Sequence, residues 1–201
     1  MRSLLALSAL VLAAAVVALV VARDDASAPV RTTGAVSLVG DSLNVGIEPY
    51  LEQELAGWRI STDDVVGRST DAGIAALESA GPGLARVVVV SLGTNDPQAD
   101  ADGFRANVRR VLDVVGDRRC VVWATIWRGG ANEAFNGVLA EVAGDNRRLV
   151  LVEWDAMVES APELLAADGV HGTPDGYARR ARAVAEAVRR CPIGTTVEAG
   201  S

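Results

Sequence analysis

The chain holds one histidine, His171, and no lysine; its 19 basic residues are all arginine. That scarcity narrows the chemistry sharply. Schiff-base, pyridoxal-phosphate and P-loop mechanisms need a lysine. Zinc sites built on two or more imidazoles need a second histidine. Two cysteines, Cys120 and Cys191, cannot supply a four-thiolate site. Ser42 stands in Gly40-Asp41-Ser42, after an apolar run and ahead of a helical pattern. A serine hydroxyl is a weak nucleophile until a base takes its proton, and His171 is the imidazole available to do so. Asp168 lies three residues before it in Asp168-Gly169-Val170-His171. In a turn, that spacing lets the carboxylate accept from the imidazole Nδ1–H, fixing the tautomer and supporting the imidazolium. Asp155, after a later strand-like run, is the alternative acid. A tetrahedral oxyanion also needs donors. The candidates are the backbone N–H groups of Ser42 and Gly67 and the side-chain amide of Asn95. Each feature alone is an ordinary turn signal; the weight lies in their joint appearance.

The elements that must position these residues alternate in type. Residues 35–39 form a short apolar run, and residues 43–55 carry Leu43, Ile47, Leu51 and Leu55 on one helical face. The pattern predicts strands over 58–66, 86–91, 120–126 and 149–153. It predicts helices over 71–79, capped near Thr70, and over 102–115, 132–142 and 174–190. The valine run before Ser91 suits a strand buried on both faces. Such alternation predicts an α/β fold with a roughly five-stranded parallel sheet covered by helices on both sides. Ligand sites in these folds lie at the carboxyl ends of the strands. Ser42, Gly67, Asn95, Asp168 and His171 all fall after strands or in the last loop. Trp127 and Arg128 follow the fourth strand, either bordering a pocket or as a rim aromatic and a solvated arginine. The arginine pairs at 109–110, 118–119, 147–148, 179–180 and 189–190 read as solvated ends of elements.

Gly40-Asp41-Ser42, Gly67, Gly93-Thr94-Asn95-Asp96 and Asp168-Gly169-Val170-His171 resemble, in order, the four blocks of the SGNH (GDSL-like) hydrolase family. The stretch His171-Gly-Thr-Pro-Asp-Gly-Tyr177 is similar to the family's sequence after its histidine. The resemblance runs from residue 36 to about residue 190. It implies a flavodoxin-like three-layer fold and ester hydrolysis without metal or organic cofactor. It also implies a triad of Ser42, Asp168 and His171, with Ser42, Gly67 and Asn95 as oxyanion donors. The Gly67 assignment rests on one glycine, with Gly73 nearby. The style of the last block is similar to family members acting on O-acetyl groups of cell-wall glycans. An acyl ester or acylated glycan is the expected substrate. An O-acyltransferase, and a catalytically silent glycan-binding module, share the same residues.

Residues 3–22 form an uncharged stretch rich in Leu, Val and Ala, flanked by Arg2 and by Arg23-Asp24-Asp25. This is long enough to cross a bilayer. Residues 1–28 read as a signal anchor or a signal peptide with linker, and 29–201 as the hydrolase domain. Both readings place the domain outside the cytoplasm, either secreted or tethered to the membrane. The formal charge is -7, which gives the chain no electrostatic reason to bind nucleic acid. In an exported chain Cys120 and Cys191 are expected to pair as a disulfide, the alternative being two buried thiols.

Overall fold

The computed structural model describes residues 34–130 and 132–191. The expectations for residues 1–28 lie outside the described residues. Five parallel strands line up in the order β2-β1-β3-β4-β5. They are β1 (Gly34–Gly40), β2 (Trp58–Asp64), β3 (Val87–Ser91), β4 (Cys120–Ala124) and β5 (Leu149–Val152). The helices are α1 (Ser42–Glu54), α2 (Thr70–Ala80), α3 (Ala101–Val115), α4 (Glu133–Asp145), α5 (Trp154–Ser160) and α6 (Pro174–Arg190). This is the flavodoxin-like order. The chain leaves β1 toward β2 and then crosses back to β3, so the connections after β1 and β3 diverge and open a crevice at their carboxyl ends.

Side-chain alternation explains the three layers. Along β3, Val87 and Val89 point to one face and Val88 and Val90 to the other. The first face packs on Ile47 and Leu51 of α1, Leu55 just after it, Trp154 of α5, and Val184 and Val188 of α6. The second packs on Ile74 and Leu77 of α2, Phe104 and Val108 of α3, and Phe135 and Leu139 of α4. With helices on both sides, every residue of β3 and β4 is buried. Each valine so enclosed contributes about 1.5–3 kcal/mol of burial.

Element ends shift by up to three residues from the sequence pattern, β4 stopping at Ala124 rather than residue 126 and α4 running on to Asp145, and one helix is new. The second strand stops at Asp64 rather than Val66, because β1, its sole partner, ends opposite at Gly40. Gly67 thus lies in a turn three residues past the strand, with φ +78°, a conformation glycine adopts without penalty. Helix α5 was not anticipated: its seven residues are too few to display helical periodicity. Cys120 at the start of β4 and Cys191 just after α6 form a disulfide, with Cα atoms 6.0 Å apart. It fastens the end of the closing helix to the start of β4, an interior strand of the sheet. Among the described residues, no helix is long and apolar enough to cross a membrane.

Candidate active site

Ser42 is the first residue of α1, immediately after the β1 turn. Asp41 caps this helix: its Oδ1 accepts from the Leu43 N–H at 3.0 Å, and its carbonyl accepts from Asn44 and Val45. The first amides of a helix have no helical acceptor and concentrate positive potential. Capping by Asp41 uses those of Leu43, Asn44 and Val45. The Ser42 amide takes no acceptor among the described residues, and neither does that of Gly67.

The His171 imidazole reaches Ser42 from the loop before α6. Its Nε2 lies 2.9 Å from Ser42 Oγ, and its Nδ1 lies 2.8 Å from Asp168 Oδ2. With Nδ1–H donating to the carboxylate, Nε2 presents its lone pair and accepts the Ser42 hydroxyl proton. The other oxygen, Asp168 Oδ1, accepts from the backbone N–H groups of Val170 and His171, both at 3.0 Å. These two amides, and then the imidazole, hold the Asp168 carboxyl down at about 2. The acid is thus a carboxylate at any pH of interest. The His171 side chain is 41% exposed, which leaves its edge open to a water or alcohol.

The loop around this pair is braced on both sides. Ala166 N–H donates to the His171 carbonyl at 2.8 Å, Thr173 N–H to that of Leu164 at 2.8 Å, and Gly129 N–H to that of Gly169 at 3.2 Å. The Thr173 hydroxyl caps α6 by accepting from Gly176 N–H. The alternative acid is occupied elsewhere: Asp155 accepts from Thr125 Oγ1 at 2.6 Å and Asn136 Nδ2 at 2.8 Å. It braces β4 against α4 and makes no hydrogen bond to His171.

Asn95 follows β3, and its Nδ2 donates to Asp41 Oδ2 at 3.1 Å and to the Arg68 carbonyl at 3.2 Å. One side chain thereby ties together the turn after β1, the turn after β2 and the loop after β3. Arg68 immediately follows Gly67, so the three oxyanion candidates belong to one hydrogen-bonded unit. Arg68 itself is anchored on Asp63 Oδ1 at 2.6 Å and on the Asp63 carbonyl. Asp96 braces the start of the preceding helix, α2, by accepting from Thr70 N–H at 2.7 Å. Gly73 lies within α2, its Cβ direction blocked by Leu92, and offers no donor to the crevice.

Trp127 is partly buried against the α1/α6 side of the core. Arg128 is exposed, with Nη1 3.4 Å from the Asp96 carbonyl. One arginine of the predicted solvated pairs is in fact enclosed: Arg180 is 1% exposed and reaches Ser91 Oγ at 2.9 Å. A signal for it did exist. Gly176, Ala181, Val184 and Val188 are among the buried residues of α6, and Arg180 falls on that same stripe. Asn44 and Asp64 were also not anticipated. Asn44 Nδ2 donates to Asp64 Oδ1 at 3.1 Å, linking the third residue of α1 to the end of β2.

No protein-family model and no curated protein matches the chain. Solved structures do. A GDSL-like lipase from Bacteroides thetaiotaomicron superposes with a TM-score of 0.63 at 16% identity, over 81% of this chain and 91% of that one. The C-terminal catalytic domain of Streptococcus pneumoniae peptidoglycan O-acetyltransferase A, carrying a methylsulfonyl adduct, gives 0.62 at 17% identity, over 80% and 92%. A family 3 carbohydrate esterase from Clostridium thermocellum gives 0.59 at 15%, over 78% and 95%. At such identities the likeness is one of fold, and this chain has the three-layer α/β fold of the GDSL (SGNH) lipases and esterases.

Proposed function

We propose that the protein is an exported serine esterase that removes short acyl groups, acetyl-like in size, from an ester or an acylated glycan. The observation that carries this reading is the unbroken chain Ser42 Oγ, His171 Nε2, His171 Nδ1, Asp168 Oδ2, with links of 2.9 and 2.8 Å. Ser42 attacks the ester carbonyl as His171 takes its proton. The ionised Asp168 holds the imidazole and its charge. The amides of Ser42 and Gly67 and the side chain of Asn95 receive the oxyanion. His171 then protonates the leaving alcohol, and water, activated by the same imidazole, releases the acid from Ser42. The glycan reading is supported by the similarity to a carbohydrate esterase and to a peptidoglycan O-acetyltransferase domain. Export, secreted or membrane-tethered, rests on the apolar stretch of residues 3–22.

The likeness to the O-acetyltransferase domain favours one second reading, in which an alcohol replaces water in the deacylation step. Product analysis with a glycan acceptor present distinguishes the two. The first test is hydrolysis of an aryl acetate by the full chain. Ser42→Ala and His171→Ala are each expected to lower kcat by about 10³-fold or more while the fold, read by circular dichroism, is unchanged. A folded Ser42→Ala protein as active as the parent overturns the assignment. A folded parent that neither turns over acetate nor is labelled at Ser42 by a fluorophosphonate points instead to a silent binding module.

A further inference from the structure

Two opposite charges are enclosed beneath the nucleophile: Asp41 is 0% and Arg180 1% exposed. They come from opposite ends of the chain. Arg180 rises from α6 through the layer it shares with α1. Its Nη2 donates to Ser91 Oγ at 2.9 Å, and that hydroxyl lies 3.5 Å from Asp41 Oδ1. The guanidinium carbon sits 5.0 Å from the centre of the Trp154 ring. Its Nε and Nη1 have no hydrogen-bond partner. Leaving two donors of a buried cation unsatisfied is costly. Burial pulls the Arg180 pKa down to about 10, which still leaves the group charged at neutral pH.

What the cation faces explains its presence. Burial pushes the Asp41 carboxyl above its ordinary range, while the Leu43 amide and then the Arg180 charge pull it back. The Asn95 NH₂ meets two acceptors, Asp41 Oδ2 and the Arg68 carbonyl, and of these only the carboxyl can turn from acceptor to donor. An ionised Asp41 can only accept, so it demands the NH₂ end of the Asn95 amide. A protonated Asp41 carries a donor that calls for the Asn95 carbonyl, in competition with the Arg68 carbonyl, which still calls for the NH₂ end. A flipped amide would turn a lone pair, not a proton, toward an oxyanion beside Ser42. Polarity, not only position, therefore has to be fixed at Asn95.

We propose that Arg180 is a positioning residue which, through Ser91 and Asp41, holds one N–H of Asn95 on the carboxylate, so that the other, which rests on the Arg68 carbonyl, is the one an oxyanion beside Ser42 draws. This rests on the ester-hydrolase reading of that site. The partners of Asp41 are Arg180 from α6, Ser91 from β3, Asn95 from the loop after β3 and the Leu43 amide of its own helix. Arg180 in turn faces Asp41 and Tyr177. The charge acting on Asp41 is thus that of Arg180.

The test uses the full chain and four variants: Arg180→Met, Arg180→Lys, Asp41→Asn and the Asp41→Asn/Arg180→Met pair. Arg180→Met is expected to lower kcat for an aryl acetate about 10- to 100-fold with KM within about twofold, since the lost interaction belongs to the transition state. The acidic limb of its kcat profile is expected to move to higher pH, because Asp41 then takes up a proton more easily. Arg180→Lys is expected to recover most of the loss. Titration of the Asp41 carboxyl carbon by NMR is expected to shift further upward in Arg180→Met, and this readout needs no turnover. If Arg180→Met does not fold, the paired variant, which buries no lone charge, takes its place. A kcat equal to that of Asp41→Asn alone supports action through Asp41. A further tenfold loss overturns it, as does a folded Arg180→Met with parental kcat or an unmoved Asp41 titration. A parent inactive on acetate defeats the esterase reading, and the carboxyl titration still decides what Arg180 does to Asp41.

Discussion

Two carboxyls within a few residues of the site are driven in opposite directions, and their surroundings say why. Asp168 lies in the open and accepts from two backbone amides and an imidazole, which keeps it ionised. Asp64, the last residue of β2, is largely enclosed. Its Oδ1 accepts from Asn44, and the carboxyl of Glu48 lies close enough to act on it by charge and by hydrogen bonding. Desolvation dominates and raises it to about 7. The sign of the consequence follows from proton counting. Between its unfolded value of 3.8 and about 7 the folded state holds the proton more tightly. Stability from this group therefore falls as pH rises through that window. Asp64→Asn removes the term. It is expected to leave stability near pH 4 unchanged and to raise it at pH 8, by at most about 4 kcal/mol. Urea unfolding at the two pH values measures this. Equal gains at both pH values would mean that Asp64 is not held protonated.

The distance from Ser42 to His171 is a property of two helices more than of two side chains. Helix α1 carries Ser42, and the His171 loop runs straight into α6. The helices meet where Gly46 faces Tyr177. A Cβ at residue 46 would lie 2.2 Å from two ring carbons of Tyr177, so no larger residue fits without separation. Gly46→Ala is expected to cost about 1–3 kcal/mol by overpacking, to lower the melting temperature by several degrees, and to reduce kcat as Ser42 withdraws from His171. A thermal melt and a kinetic run on one preparation check both parts. Parental values in both would show that the Tyr177 ring swings aside freely. Element boundaries show how far pattern reading reaches. Helices α1, α3 and α6 are legible because their apolar stripes are long. The overextension of β2 to Val66 has a tertiary cause: Val65 and Val66 are strand-like residues, yet no partner strand continues beside them, and they end 50% and 71% exposed.

For the molecule as a whole, the disulfide links residues 71 apart. By chain-entropy reasoning a bridge closing a loop of that size contributes about 4 kcal/mol, and less where the reduced chain retains structure. Cys120→Ala/Cys191→Ala is expected to lose about 2–4 kcal/mol, a fall of roughly 5–15 °C in melting temperature. The folded fraction should keep its aryl-acetate turnover, since neither sulfur touches the site. A melt of the paired variant beside the parent, with and without reductant, tests this. If the variant melts with the parent, the bridge constrains nothing that packing has not already fixed. The sheet itself is closed over on both faces, so the exposed chemistry collects at one edge, where the turns after β2, β1 and β3 stand side by side.

Sequence alone determined which atoms are available: one imidazole, no lysine amine, and a serine at the end of the first strand. It also determined the alternation that makes a parallel sheet, because periodicity is a local property of side-chain spacing. The Asp168–His171 contact was within its reach too, being made inside one turn. Only the tertiary structure decided that Ser42 and His171, 129 residues apart, lie in hydrogen-bond contact. It decided that Asp155 serves Thr125 and Asn136 instead, and that Arg180 is enclosed against Trp154 and Ser91. The physical reason is common to these. Each depends on the order of strands and on the approach of helices packed across them, set by burial summed over the whole core and not by any local run of residues.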